Sequence, residues 1–370
     1  MYEPSGRQFP QLMLWSALAA VSVSEAAASV ARQFVDLTSE ANNARVTPEP
    51  EWATPNKIAL ELKTVRLRDF SNEYDGPPVL LCAPFALHGA AVTDFAPDHS
   101  LVAALRSAGL KRLFVSDWRS ASADMRFLAI DDYLSGLNIL VDQLGGNVDL
   151  VGLCQGGWLS LLYAARFPAR VRKLVLAGAP IDLAAERSGL STLVDATATA
   201  LFDQLLKLGD GRVFGRMVAK YWGPERVESE DIHELLQTPE PLGSPAFAQL
   251  DALFRAWHAW TVDLPGIYYL EVIEKLYRRN ELATGSFVAL GQKIDLARLR
   301  VPLFLLGARD DELVAPAQLF ATERLVGTPA DSIHKALAPC RHLGLFMGKT
   351  ILAEFWSPIA RWLLEPLPSQ

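Results

Sequence analysis

From about Lys57 onward the chain alternates short unbroken apolar runs with stretches whose apolar residues recur at helical spacing. Lys63 to Phe70 alternates as a half-buried strand does. Pro78-Val79-Leu80-Leu81-Cys82-Ala83-Pro84 is an apolar run closed by proline, the pattern of a strand covered on both faces. Leu101 to Ala108 has helical period and Gly109 ends it; Arg112 to Asp117 reads as the next strand. Asp131 and Asp132 read as N-caps of a helix carrying Tyr133, Leu134, Leu137, Leu140 and Leu144, stopped by Gly145-Gly146. Val148 to Leu153 is another buried strand, Trp158 to Phe167 a helix ended by Pro168, and Lys173 to Ala179 a strand again. This rhythm predicts an α/β fold, a mostly parallel sheet joined by right-handed crossovers and covered by helices on both faces.

The rhythm breaks after Pro180. From there to about Thr284 the chain offers amphipathic helical stretches, such as Leu190 to Leu208 and Tyr268 to Asn280, and no buried strand. Val301-Pro302-Leu303-Phe304-Leu305-Leu306-Gly307 restores the strand pattern, and Ile351 to Leu364 reads as a final helix. The expected organisation is a core of residues 57–180 and 290–370, split by a helical lid of residues 181–289 over the carboxyl ends of the strands. That is where an α/β site lies.

Ahead of the core, residues 1–56 read as a helical extension and linker. Leu12 to Val23 is apolar and Ala26-Ala27-Ala28 resembles a cleavage site, but Arg7 is the only basic residue before it, Glu3 is acidic, and Glu25 sits in the cleavage region. The stretch is also poor beside the about 20 predominantly apolar residues of a membrane span. A helix from about Leu12 to Val35 in a cytoplasmic protein is expected, with a proline-marked linker from Asn42 to Asn56.

Composition narrows the function. The 370 residues are 50% hydrophobic, enough for a sizeable core, and carry 35 Lys+Arg against 42 Asp+Glu, a net charge of -7. No basic block stands out, which argues against nucleic acid as partner. Three cysteines, Cys82, Cys154 and Cys340, are an odd number that points to a reducing compartment and leaves one free to be a working thiol. No metal or resident cofactor is expected.

Gly152-Leu153-Cys154-Gln155-Gly156-Gly157 stands between the strand at Val148 and the helix at Trp158. A nucleophile on a sharp strand-to-helix turn needs glycine two positions either side, because strand and helix approach too closely for side chains. Such a nucleophile needs a base, and the base an acid to orient it. The expected chain order is nucleophile, acid after a later strand, then histidine. Here Gly307 is followed by Ala308-Arg309-Asp310-Asp311-Glu312, and His342 lies further on in Pro339-Cys340-Arg341-His342-Leu343-Gly344. Spacing leaves Asp310 and Asp311 both open. His233 and His258 fall in the helical insertion as surface or packing residues, His334 reads as solvent-exposed and His99 as part of a helix entry. His88 stands ready either to shape an anion site or to serve structure. An oxyanion hole on this topology takes the backbone N–H of Gln155 and one from Phe85 or its neighbour Ala86. A cysteine forms a thioester with the acyl group, so exchange with other thioesters is nearly balanced in energy.

From about Val79 to the C-terminus the chain resembles the polyhydroxyalkanoate synthases and intracellular polyhydroxyalkanoate depolymerases, proteins of the α/β-hydrolase fold that act on storage polyesters. Gly152-Leu153-Cys154-Gln155-Gly156-Gly157 is similar to the synthase box. Val115-Ser116-Asp117-Trp118, Cys154-Gln155 and His342-Leu343-Gly344-Leu345-Phe346-Met347-Gly348 are similar to the depolymerases. Tyr269-Leu270-Glu271, Asn280-Glu281-Leu282 and Ile294-Asp295-Leu296 resemble both. The resemblance implies Cys154 as nucleophile, His342 as base and, through Val314, Asp311 as acid. It implies a hydroxyalkanoate polyester or hydroxyacyl ester or thioester as substrate, with the polymer granule surface as a place of action. On the histidine loop the preferred expectation is a depolymerase-like hydrolase. The alternatives are a synthase that takes hydroxyacyl-CoA, with CoA as substrate or product rather than cofactor, and an inactive granule-surface binder.

Overall fold

The computed structural model describes residues 48–197, 199–222 and 227–367; the helix expected from Leu12 to Val35 lies outside them. Eight strands form one sheet: β1 (Lys57–Glu61), β2 (Val65–Asp69), β3 (Val79–Cys82), β4 (Leu113–Trp118), β5 (Val148–Leu153), β6 (Val171–Ala177), β7 (Leu303–Ala308) and β8 (Ile333–Ala338). Their order is β1-β2-β4-β3-β5-β6-β7-β8. β1 and β2 pair antiparallel, as do β2 and β4, and every other neighbour pair is parallel. From β3 the chain first builds outward to β4 and then returns to the other side for β5. That reversal opens a crevice at the carboxyl ends of β3 and β5, where ligands bind in such sheets.

Alternate residues of the central strands feed two separate cores. Leu80, Leu150, Leu174, Leu176 and Leu305 pack with helices α2 (Ile130–Gln143) and α3 (Gln155–Arg166) on one face. Val79, Leu81, Val151, Val175 and Leu306 pack with α1 (Leu101–Ser107) and the C-terminal helix on the other. The sequence-based strands β3 to β7 recur within a few residues. Neither edge strand was foreseen as such: β1 and β8 are largely exposed and lack the apolar run that marks their neighbours.

Several local expectations are corrected. Asp131 and Asp132 sit in the first turn of α2, whose N-cap is Ala129. The Ala129 N–H donates to Asp132 at 2.7 Å, and the Ile130 N–H donates to Glu271 Oε2 at 2.9 Å, so the insertion supplies part of the cap. Helix α3 starts at Gln155, three residues before the expected Trp158, because the glycines are inside its first turn. The described part of the proline-marked linker is anchored. Thr54 donates through N–H and hydroxyl to Asp94 at 2.7 and 2.8 Å, and Trp52 packs against Phe70 and under the Arg68 guanidinium.

Between β6 and β7 lie α4 (Gly189–Ala196), α5 (Thr199–Leu208), α6 (Gly215–Trp222), α7 (Ser229–Leu236), α8 (Pro245–Ala259) and α9 (Gly266–Glu271), the last running into a π-helical turn, Val272–Arg278. The expected helix from Leu190 to Leu208 is therefore two, and Arg212–Val213 and Leu264–Pro265 are two short strands, paired antiparallel, that were not expected. The neck of the insertion is closed by Asn280, whose amide donates to Asp182 at 2.7 Å and whose oxygen accepts from the Leu183 N–H at 3.1 Å. Glu271 and Asn280, which carried part of the family resemblance, thus hold the insertion to the core. Among the described residues no helix is long and apolar enough to cross a membrane.

One buried charge lies at the opposite end of the sheet from the crevice. Asp149 on β5 is fully buried, its carboxylate oxygens have no hydrogen-bond partner among the described residues, and the nearest guanidinium, of Arg172, is 3.7 Å away. Burial pushes its pKa up to about 6, with Arg172 and then Lys173 opposing. The folded state holds this proton more tightly than the unfolded chain, so its stabilisation is present below about pH 4 and lost as pH rises through about 6. Asp149→Asn is therefore expected to stabilise the fold by up to about 3 kcal/mol above pH 7 and by little near pH 4. Thermal midpoints at the two pH values check this, and an equal effect at both would contradict it.

Candidate active site

β5 passes into α3 through one residue, Cys154, held at φ 49° and ψ −117°. A non-glycine residue there is strained, and the surroundings maintain it: the Cys154 N–H donates to Ala177 O at 2.8 Å, and its carbonyl accepts from the Gly157 N–H at 2.9 Å. The flanking glycines are required by distance. A Cβ on Gly152 would lie 2.6 Å from the Gly157 Cα, one on Gly156 2.1 Å from Cys82 O, and one on Gly157 2.3 Å from the Ala179 Cβ. Gly156→Ala is expected to destabilise the fold by about 3 kcal/mol or more, since backbone must move to admit the methyl group. Wild-type thermal stability in that variant would contradict the close approach.

The loops after β7 and β8 bring the acid and the histidine to this turn. His342 is 2% exposed, and its Nδ1 lies 2.8 Å from Asp311 Oδ2. The other oxygen of Asp311 accepts from the N–H groups of Leu313 and Val314 at 2.9 and 2.8 Å, so the carboxylate is oriented from behind. Asp310, the competitor, is exposed, and its N–H donates to Cys340 O at 3.1 Å. With Nδ1 donating to a carboxylate, Nε2 is the atom left to accept a proton. The ring is wedged between Gly178, where a Cβ would come within 3.1 Å of it, and the edge of Phe346 at 5.6 Å. Burial opposes charge on the imidazole, but the Asp311 carboxylate hydrogen-bonded to it, and then Cys154, hold its pKa well above the ordinary value.

The loop after β3 completes the crevice. Its start is fastened to β4: the Ala83 N–H donates to Ser116 Oγ at 3.1 Å, and the Trp118 indole donates to Ala83 O at 2.9 Å. The Phe85 ring turns away into an aromatic cluster, stacked on Tyr133 at 4.7 Å and tilted on Tyr268 at 5.2 Å, while Ala86 lines the cavity beside Cys154. Gln155, the first residue of α3, has no preceding turn to take its N–H. Its side chain donates to the Tyr277 hydroxyl at 2.7 Å and accepts from the Trp158 indole at 2.6 Å, which locks the turn to the insertion. Of the two residues expected to offer the second backbone N–H, Ala86 lines the cavity and Phe85 does not.

A cavity of about 490 Å³ opens over Cys154 and His342. Its wall is largely apolar, with Leu87, Val92, Leu235, Trp257 and Leu343 prominent. At its rim Arg341 bridges Asp231 of α7 at 3.5 Å and Glu312 at 3.7 Å, an ion-pair link from insertion to core. The remaining cysteines are elsewhere: Cys82 is buried in β3 with its pKa pushed up to about 11 by burial, and Cys340 is buried beside three acidic residues with its pKa pushed up to about 12. His334 is exposed on β8 and His99 is buried just before α1, as expected. His233 in α7 bonds Glu240 O, whereas His258 and His88 both line the cavity. Trp257 and His258, which line the cavity, and Tyr277, which bonds Gln155, carried no signal in the sequence, because the insertion's path over the core decides what its side chains meet. Among the described residues no group of three His, Cys, Asp or Glu is placed to hold a metal ion.

Comparison with known proteins agrees with this architecture. The chain is 28% identical to a poly(3-hydroxyalkanoate) polymerase subunit PhaC of Synechocystis over 84% of its own length and 85% of the relative's. It is 26% identical to the polymerase subunit of the same name from Allochromatium vinosum, covering 89% and 92%. These names favour the acyltransferase alternative over the depolymerase-like hydrolase that the histidine loop suggested. Among solved structures, the monoacylglycerol lipase of Paleococcus ferrophilus superposes with a TM-score of 0.52 at 17% identity, over 81% of this chain and 98% of the lipase, a likeness of fold. The model of the alpha/beta hydrolase fold matches residues 115–348, which hold the cysteine turn, the Asp311 loop and the His342 loop, and the chain belongs to that family.

Proposed function

We propose that the protein is a cysteine acyltransferase of the polyhydroxyalkanoate polymerase type, with Cys154, His342 and Asp311 as its triad. The observation that carries the proposal is a cysteine, rather than a serine, on the strained turn against a buried His–Asp pair, in a chain whose curated relatives are named polymerase subunits. His342 Nε2 takes the Cys154 proton as sulfur attacks the carbonyl of a hydroxyacyl thioester. The N–H of Gln155, with one from the loop at Phe85 and Ala86, holds the developing oxyanion. The C–S bond to CoA breaks, and CoA leaves with the proton from His342. A chain-end hydroxyl then gives its proton to His342 and attacks the Cys154 thioester, forming the new ester and restoring the thiol. Transfer wins over hydrolysis only if water is kept from the acyl-enzyme, which suits the apolar wall of the cavity.

The test offers purified protein hydroxybutyryl-CoA and, separately, amorphous polyester granules. CoA release with growing polymer is the expected result. Soluble hydroxy acids released from granules, without polymer growth, would make it a hydrolase, and granule binding with neither product would make it a surface protein.

A further inference from the structure

One wall of the cavity carries polar groups that the acyl-transfer steps do not use. His88 lines it, and its Nδ1 lies 3.0 Å from Trp260 O. A carbonyl oxygen only accepts, so Nδ1 carries the proton and Nε2 keeps a lone pair. Burial pulls the pKa of this imidazole down to about 4 against the pull of the Trp260 carbonyl, so the ring is neutral and a weak base. It accepts a hydrogen bond without taking the proton. Beside it, with ring centroids 4.4 Å apart, is Trp257, which lines the same cavity. The Trp257 Nε1 is buried and has no hydrogen-bond partner among the described residues. An indole N–H only donates, and burying one unpaired costs stability that a bound acceptor would return.

The two rings are adjacent, and a small rotation of the Trp257 indole, whose N–H water does not reach in this structure, would set an unused donor beside an unused acceptor for one ligand group that does both. We propose that His88 and Trp257 form a hydroxyl seat in the acyl pocket, in which the hydroxyl of a hydroxyacyl group donates to His88 Nε2 and accepts from Trp257 Nε1. The inference rests on the acyl-transfer reading and adds to it the residues that distinguish a hydroxylated from a plain acyl chain. Wall residues Leu87, Val92 and Phe254 offer a hydroxyl nothing, and His258, whose ring centroid lies 5.1 Å from that of His88, is the other polar ring on this wall. The competing role for His88 is to pin its loop to the insertion, together with the Val262 N–H donating to Leu87 O at 3.0 Å and Gly89 pressed against the Trp260 ring. A pin acts on every substrate alike.

The experiment measures CoA release in single-turnover acylation by hydroxybutyryl-CoA and by butyryl-CoA, for wild type, Trp257→Phe and His88→Phe, with circular dichroism reading the fold. A site built to bond a hydroxyl rejects the analogue lacking it, and wild type is expected to prefer the hydroxylated thioester by at least about tenfold. Each substitution is expected to cut that ratio by about tenfold, through a larger loss on the hydroxylated substrate. Trp257→Phe removes the N–H and keeps an aromatic ring, so it carries the test alone if His88→Phe fails to fold. An unchanged ratio in Trp257→Phe overturns the seat, as does a wild type that takes both thioesters equally; either leaves the acyl-transfer reading standing. A wild type acylated by neither overturns both.

Discussion

Replacing Cys154 with alanine is expected to abolish acyl transfer while leaving the fold intact, a loss of at least about a thousandfold in kcat. The side chain is small, partly exposed to the cavity, and held by backbone hydrogen bonds that alanine retains. What alanine removes is the atom that forms the thioester. Cys154→Ser is the more searching variant, because it keeps a nucleophile and changes its leaving ability. An ester in place of a thioester raises the energy needed for the next transfer, so serine is expected to stall after acylation. Cys82→Ala and Cys340→Ala serve as controls for the other thiols, which lie in the core. Full activity in Cys154→Ala would remove the site assignment altogether.

The second large effect is at Asp311. Asp311→Asn is expected to lower kcat by about 10²- to 10⁴-fold, because an amide offers the wrong partner for Nδ1–H and lets the imidazole present the wrong tautomer. The neighbouring Asp310→Asn is expected to stay within about threefold of wild type, since Asp310 is exposed and takes part through its backbone N–H. The pair of variants separates two residues that stand side by side in sequence. Their pH profiles differ as well. The Asp311 carboxylate is the largest influence raising the proton affinity of His342, and burial works the other way. Without it, His342 gives up its proton more readily, so the acid limb of the residual activity is expected to move to lower pH. Profiles of kcat/KM across pH 5 to 9 check the sign, and an acid limb displaced upward would contradict the electrostatic account.

How much of this was legible beforehand follows from where each residue lies. The central strands announced themselves because both faces of β3 to β7 are covered, which leaves unbroken apolar runs such as Val79 to Cys82. The edge strands β1 and β8 were hidden because one side meets solvent and their side chains are mixed. The turn at Cys154 was readable because its glycines are imposed by interatomic distances that no other residue satisfies. His342 was readable from chain order. Asp311 was separable from Asp310 only through resemblance, since the choice depends on which carboxylate the loop turns inward, and the N–H groups of Leu313 and Val314 make that choice. The cavity wall was not legible. His88, Trp257 and His258 meet because the insertion returns over the β3 loop, a long-range event with no local pattern.

The resemblance also divides differently once residues are placed. Ser116 and Trp118 hold the loop after β3, Glu271 caps α2, and Asn280 closes the neck of the insertion. The depolymerase-like pair Ser116 and Trp118 and the shared Glu271 and Asn280 all position the site, and the direction of the reaction is left to the cavity and the turn.

The most direct test of the central claim is the mass of the protein quenched in acid within the first turnover with hydroxybutyryl-CoA. A hydroxybutyryl adduct on the peptide bearing Cys154, lengthening by whole hydroxybutyryl units as further substrate is added and absent in Cys154→Ala, is the result the account expects. Release of CoA with Cys154 unmodified at every time, or an adduct on another residue, would contradict it.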